Sequence, residues 1–241
     1  MKKFYWFGDS WVFGDELEKI VPSNNVTQYN FAGLVSSYFD AECINLSECG
    51  GSITTIPLRF YKILEKINPA TDTVFFGLTA SHRTSIFNDN ENYQNILPSS
   101  YDKHRPHAHQ DKWFKYFDSP GQRIYNYDCI TNLLYFWCQQ KNIKCYFLNL
   151  FTTEPVSLIN SVPNDAWLVP KDQCIAQFIL ELVDNQIQSV ITDDCPTLTN
   201  DQWAVQSKLV EKYIKPCYRH PNVQGHQVIA DNLIKLLQNK T

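Results

Sequence analysis

The chain has 241 residues, of which 44% are hydrophobic and 19% are charged. These proportions suit one globular domain with a sizeable core, and they exclude a disordered chain, a collagen and a coiled coil. The formal net charge is −4 and the chain has no run of Lys or Arg. We therefore expect neither nucleic acid nor an anionic membrane surface as its main partner.

The first seven residues begin like a signal peptide, but Gly8-Asp9-Ser10 interrupts the apolar run after four residues. No segment approaches the roughly 20 apolar residues that a membrane span needs. The chain has eight cysteines, without a Cys-x-x-Cys pair or zinc-ribbon spacing. Several lie in apolar runs, which is typical of small buried thiols in a protein of a reducing compartment. We expect a cytoplasmic protein, with a host cytoplasm or a virus particle as the alternatives.

Short apolar runs alternate with segments of helical periodicity along the chain. This alternation predicts an α/β fold of three layers, in which a mainly parallel sheet of four to five strands is covered by helices on both faces. In chain order we expect a strand at Lys3–Phe7, a helix at 31–39, a strand at 43–46, a helix at 53–67, a strand at 73–77, a helix at about 123–141, a strand at 144–148 and a last helix at 229–237.

Two regions do not fit this minimal alternation. Residues 84–121 are polar and rich in His, Asn, Asp and Pro, which predicts a long loop over one end of the sheet. Residues 151–200 contain a helix around 175–183 among Pro and Asp residues, and 188–192 is the best candidate for a fifth strand. We treat both regions as insertions into one domain that spans residues 1–241.

A serine follows the first predicted strand directly. Ligands of open parallel sheets bind at the carboxyl ends of the strands, so Ser10 of Gly8-Asp9-Ser10-Trp11 is expected at the site edge. A hydroxyl acts as a nucleophile only if a base takes its proton. His220 lies just before the last helix, which can return to the same edge, and we expect it to be this base. His226 is the alternative base, and its interpretation as a helix-start residue is favoured.

The two motifs, Gly8-Asp9-Ser10 and His220-Pro221-x-x-x-Gly225-His226, resemble the first and last blocks of the SGNH/GDSL hydrolases, in order and in separation. The stretch from Gly8 to Leu17 is also similar to the start of phage-type members. The resemblance implies a flavodoxin-like fold and hydrolysis of esters of lipids, acylated sugars or other small molecules without a metal or other cofactor.

The resemblance also implies an oxyanion hole. The family's second block supplies a backbone N–H after the second strand, and Gly50 fits that place, with Gly51 as the alternate. The Ser10 N–H would be another donor. The third block departs from the family, because Thr79 stands where an asparagine is expected; its hydroxyl would be the remaining donor.

The family's acid lies three residues before the histidine, where this chain has Cys217. A neutral thiol does not orient and stabilise an imidazole as a carboxylate does. Glu211, Asp193 and Asp194 are the candidate replacements, and a backbone carbonyl is another. This departure leaves open a second hypothesis, that of a catalytically impaired SGNH-fold binding or structural protein, such as a component of a virus particle with protein partners.

Further polar residues follow the third strand and fill the predicted loop. We expect Trp11, His82 and Arg83 to contact the substrate, although the latter two are equally compatible with an exposed loop. The segment from His104 to Asp111 holds three histidines and a carboxylate, which could bind zinc, but its spacing matches no well-formed site and we expect no metal. The favoured function is thus an esterase or deacetylase that acts on an acyl ester, such as an O-acetyl ester, of a small molecule or a carbohydrate.

Overall fold

The computed structural model describes residues 1–15, 17, 21, 26–79, 84–87, 93–96, 120–150, 161–181 and 220–240. The strands are β1 (Lys3–Phe7), β2 (Glu42–Asn45), β3 (Thr73–Leu78), β4 (Thr84–Phe87), β5 (Tyr93–Ile96) and β6 (Lys144–Asn149). The α-helices are α1 (Ser10–Phe13), α2 (Val26–Tyr29), α3 (Phe31–Tyr38), α4 (Ile56–Tyr61), α5 (Pro120–Gln140), α6 (Ile175–Glu181) and α7 (Val223–Gln238). Short 3₁₀ helices occupy Ile53–Thr55, Leu64–Lys66 and Asn164–Ala166.

A four-stranded sheet with the order β2-β1-β3-β6 forms the centre of the molecule. All three pairings are parallel, with Phe4 opposite Cys43 on one side and opposite Thr73 on the other. The order changes direction at β1, because the chain passes from β1 to one neighbour and then returns to the other. The carboxyl ends of β1 and β3 therefore form the crevice in which such sheets bind ligands.

The side chains of β1 alternate between two cores. Phe4 and Trp6 pack with α3, α6 and α7 on one face, whereas Tyr5 and Phe7 pack with α4 and α5 on the other. Stacking continues across the strands on both faces, with the Trp6 and Phe75 ring centroids 4.0 Å apart. This burial on both faces is typical of parallel sheets, and it confirms the predicted three-layer α/β class.

The structure corrects two predictions of local structure. Residues 84–121 are not simply a loop, because β4 and β5 pair as an antiparallel hairpin and α5 already begins at Pro120. The predicted helix at 53–67 is broken into a 3₁₀ turn, α4 and a second 3₁₀ turn. Pro57 lies in the first turn of α4, where its missing N–H costs nothing, and it thereby starts the α-helix there.

On the side of β6 away from β3, the described residues form a parallel bridge between Phe147 and Trp167. The segment proposed as a fifth strand, 188–192, lies outside the described residues. Within the described part of the chain, no helix has the length and apolarity required to cross a membrane.

Candidate active site

The turn after β1 presents Ser10 at the crevice. Asp9 caps α1, and its Oδ1 accepts a hydrogen bond from the Trp11 N–H at 2.9 Å. Ser10 is the first residue of α1 and is 3% exposed. The nucleophile candidate is thus held by a cap rather than by a flexible loop.

Two asparagines fix the other end of α1. The Asn45 side chain, at the end of β2, donates to the Val12 carbonyl at 2.8 Å, and the Asn30 side chain donates to the Phe13 carbonyl at 3.1 Å. Asn30 also caps α3, because its Oδ1 accepts from the Gly33 N–H. The carbonyls that a four-residue helix leaves unsatisfied are therefore bonded to the neighbouring strand and helix.

His220 lies directly before α7, and its Nε2 is 2.9 Å from the Ser10 Oγ. The Asn222 side chain caps α7 by accepting from the Gly225 N–H at 3.0 Å, which orients the segment that carries His220. The His220 side chain is 16% exposed. Ser10 and His220 are thus in hydrogen-bond contact although they are 210 positions apart in the sequence. This geometry permits proton transfer from the hydroxyl to the imidazole.

The loop after β2 packs against the Ser10 turn. The Glu48 N–H donates to the Gly8 carbonyl at 3.2 Å, and Arg59 donates to the Leu46 and Gly8 carbonyls. The Gly51 N–H is used within the loop, because it donates to the Glu48 carbonyl at 2.9 Å.

The backbone of Gly50, the predicted oxyanion donor of this loop, differs from that of Gly51. Gly50 adopts a left-handed conformation with a φ of +68°. Within the described ranges, neither its N–H nor that of Ser10 has a backbone acceptor. These observations favour Gly50 over Gly51 as the donor, alongside Ser10.

Thr79 has a different role from the predicted one. Its hydroxyl donates to Asp9 Oδ2 at 2.7 Å, in a buried contact that joins the ends of β3 and β1. A carboxylate only accepts, so the single proton of this hydroxyl is directed to Asp9 and away from an oxyanion. In this arrangement Thr79 fixes the residue that caps α1.

Trp11 is also placed differently from our expectation. Its side chain is 5% exposed and belongs to the core cluster around Trp6, because α1 packs its apolar face onto the sheet. A contact between Trp11 and a substrate stays a prediction.

Several predicted residues lie outside the described residues: His82, Arg83, Cys217, Asp193, Asp194, Glu211 and the segment from His104 to Asp111. Among the residues that the structure does describe, no three His, Cys, Asp or Glu side chains are grouped so that they could hold a metal ion.

Asp15 is a site residue that we did not predict from the sequence. Its Oδ2 lies 3.8 Å from His220 Nε2 and accepts a hydrogen bond from the Cys49 thiol at 3.1 Å. The available signal was its place directly after Gly14, since a glycine at the end of a helix turns the chain back.

His226 is fully buried and belongs to the start of α7, as its favoured interpretation predicts. Its Nδ1 accepts from the Phe31 N–H at 3.2 Å, so the neutral ring carries its proton on Nε2. Burial lowers the pKa of His226 to about 3, with a further contribution from the nearby His220. His226 is therefore neutral at ordinary pH and links α7 to α3.

We expect this buried histidine to make the protein less stable in acid. Between pH 6.5 and about 3 the unfolded chain binds a proton that the folded chain does not, so the free energy of unfolding falls as pH falls, by at most about 1.4 kcal/mol per pH unit. The His226→Asn variant keeps an acceptor near the Phe31 N–H but does not titrate. Urea unfolding at pH 4.5, 5.5 and 6.5 should give a shallower slope for the variant; parallel slopes would refute this assignment.

No protein-family model matches this chain, and no curated protein matches it in sequence. Solved structures do resemble it. Protein YxiM from Bacillus subtilis matches 99% of this chain with a TM-score of 0.50 and 13% identity, and this chain spans 56% of the YxiM chain. At such identity the likeness concerns the fold, and it agrees with the α/β class described above.

Two further structures match with TM-scores of 0.45 and 11% identity. One is a protein from Desulfitobacterium hafniense assigned to a lipolytic G-D-S-L family, with 98% of this chain and 99% of that chain covered. The other is the psychrotrophic esterase EstA from Pseudoalteromonas sp., with 99% and 98% covered. Both likenesses extend over nearly the whole of this chain.

Proposed function

We propose that this protein is a serine ester hydrolase in which Ser10 is the nucleophile and His220 the general base. The observation that carries the proposal is the 2.9 Å contact between Ser10 Oγ and His220 Nε2 at the carboxyl ends of β1 and β3. A serine and a histidine in such contact are the minimum for nucleophilic acyl transfer.

The reaction proceeds in two halves. Ser10 Oγ forms a bond to the acyl carbon while its proton passes to His220 Nε2, and the alcohol then leaves with that proton as its bond to the acyl carbon breaks. Water, whose proton His220 takes, then attacks the acyl carbon. The bond between that carbon and Ser10 Oγ breaks, the carboxylic acid leaves, and His220 returns the proton to Ser10 Oγ. No oxidant, reductant or metal is needed for the balance.

Backbone N–H groups stabilise the negative charge that develops on the carbonyl oxygen of the substrate. Ser10 and Gly50 are the proposed donors, since the loop that carries Gly50 is tied to the Gly8 carbonyl through Glu48 and Arg59. Donors fixed in advance in this way stabilise the transition state without a cost of reorganisation. We propose a small-molecule or carbohydrate ester as the substrate, with an acetyl ester as the first candidate.

Hydrolysis of p-nitrophenyl acetate, butyrate and octanoate tests the proposal. We expect the wild type to release p-nitrophenol above the spontaneous rate, fastest with acetate, and we expect Ser10→Ala to fall to that rate. Ser47→Ala is the matched control, because Ser47 is a buried serine of the loop after β2 whose hydroxyl has no hydrogen-bond partner among the described residues, so its loss should leave the rate unchanged. Equal rates for wild type and Ser10→Ala would instead favour a non-catalytic binding or structural protein.

A further inference from the structure

The Asp15 carboxylate lies beside the imidazole of His220, the proposed base. It lies near a ring nitrogen that has no carboxylate partner in a serine triad. The acid of a triad binds Nδ1, the nitrogen remote from the serine. Asp15 Oδ2 instead lies 3.8 Å from Nε2, the nitrogen that faces Ser10 Oγ. The Asp15 side chain is 22% exposed, so its charge is partly shielded from water.

The backbone holds Asp15 in this place. Gly14 is left-handed, with a φ of +84°, and this conformation turns the chain back after α1. The Asp15 N–H then donates to the Ser10 carbonyl at 2.9 Å, as the Gly14 N–H does at 3.0 Å. The residue that supplies the nucleophile therefore also anchors the backbone of the carboxylate.

A hydrogen bond from the loop after β2 fixes the carboxylate itself. The Cys49 thiol donates to Asp15 Oδ2 at 3.1 Å. The carboxylate thus has a defined position between the loop and His220.

From this geometry we propose that Asp15 is a positioning residue that stabilises His220 in its protonated state, after the imidazole has taken the Ser10 proton. The proposal rests on the proposed function. A carboxylate at 3.8 Å favours the charged form of an imidazole. The proton then moves on from His220 to the leaving alcohol.

Among the residues that the structure describes, two other titratable groups lie near His220. His226, on α7, is neutral because its pKa is about 3. Asp9, beneath Ser10, accepts from the Trp11 N–H and from the Thr79 hydroxyl. Of the described residues, Asp15 is the carboxylate in ion-pair range of the imidazole.

The test is the pH dependence of kcat/KM for p-nitrophenyl acetate. For Asp15→Asn we expect the midpoint of the acid limb to move to lower pH, because the protonated imidazole loses its partner. The plateau should fall by roughly 3- to 10-fold, since a weaker base accepts the serine proton less readily. Asp15→Glu, which keeps the charge, should retain the wild-type midpoint.

Two controls separate charge from structure. Cys49→Ala removes the hydrogen bond that fixes the carboxylate but keeps its charge, so its midpoint should move less than that of Asp15→Asn. Asp40→Asn removes an equal charge from an exposed turn before β2, near the amino ends of the strands, and should match the wild type. An unchanged profile in Asp15→Asn, or an equal shift in Asp40→Asn or Cys49→Ala, would overturn the proposal.

Active-site titration with a fluorophosphonate distinguishes this failure from failure of the proposed function. If wild type and Asp15→Asn both react at Ser10 and share one pH profile, the role of Asp15 is wrong and the hydrolase stands. If the wild type does not react at Ser10, both proposals fail together.

Discussion

Replacing either Ser10 or His220 by alanine is expected to lower kcat/KM for p-nitrophenyl acetate by about 10³-fold or more, and the double variant is expected to be no slower than either single one. The reason is that the two side chains act as one unit across their 2.9 Å contact. Without the base the hydroxyl keeps its proton, and without the hydroxyl the base has no proton to take.

The cycle of two single variants and one double variant measures this coupling. His226→Asn is the control for the loss of a histidine, because His226 is buried behind the site and bonds the Phe31 N–H. It should keep most of the rate at neutral pH. Losses that multiply in the double variant, or a His220→Ala rate close to that of the wild type, would show that the two residues act independently.

Replacing Gly8 by alanine is expected to destabilise the fold by roughly 1 to 3 kcal/mol and to reduce activity along with it. A Cβ at Gly8 would lie 2.4 Å from Val12 Cγ2, and one at Gly77 would lie 2.8 Å from the same atom. Val12 is fully buried, so its side chain fills a notch between β1 and β3 that two glycines leave open. A methyl group in this notch pushes α1, and Ser10 with it, away from the sheet.

A second substitution tests this steric account. Val12→Ala removes the clashing Cγ2, so Gly8→Ala with Val12→Ala should lose less stability than the sum of the two single losses. Gly121→Ala is the control glycine, because a Cβ there meets no atom of the described residues within 4 Å and its φ is not positive. Chemical denaturation gives the free energies of unfolding. Strict additivity, or a Gly8→Ala protein as stable as Gly121→Ala, would contradict the account.

The strands of the sheet were predictable because parallel strands buried on both faces form continuous apolar runs. Lys3–Phe7 is such a run, and it agrees with β1 at both ends. The placement of Ser10 follows from the same run, since a parallel strand delivers the next residue to the ligand-binding edge. His220 was predictable through the position of the last helix.

The hairpin of β4 and β5 was missed because its strands are four residues each within a polar region, where alternation is too short to stand out. The pairing of Thr79 with Asp9 was missed for another reason. These two residues lie at the ends of two strands and are 70 positions apart in the sequence. The local sequence does not show which acceptor a hydroxyl will bind. The position of Asp15 depends on the left-handed turn at Gly14, and this turn is known only from the structure.

The mass of the intact protein after incubation with a fluorophosphonate tests most directly whether Ser10 is a nucleophile activated by His220. We predict one adduct per wild-type chain, located at Ser10 by peptide mapping, with fluoride displaced by the serine oxygen. We predict no adduct in Ser10→Ala and a normal adduct in Ser47→Ala. An unlabelled wild type at high probe concentration, or a label that persists in Ser10→Ala, would contradict the claim.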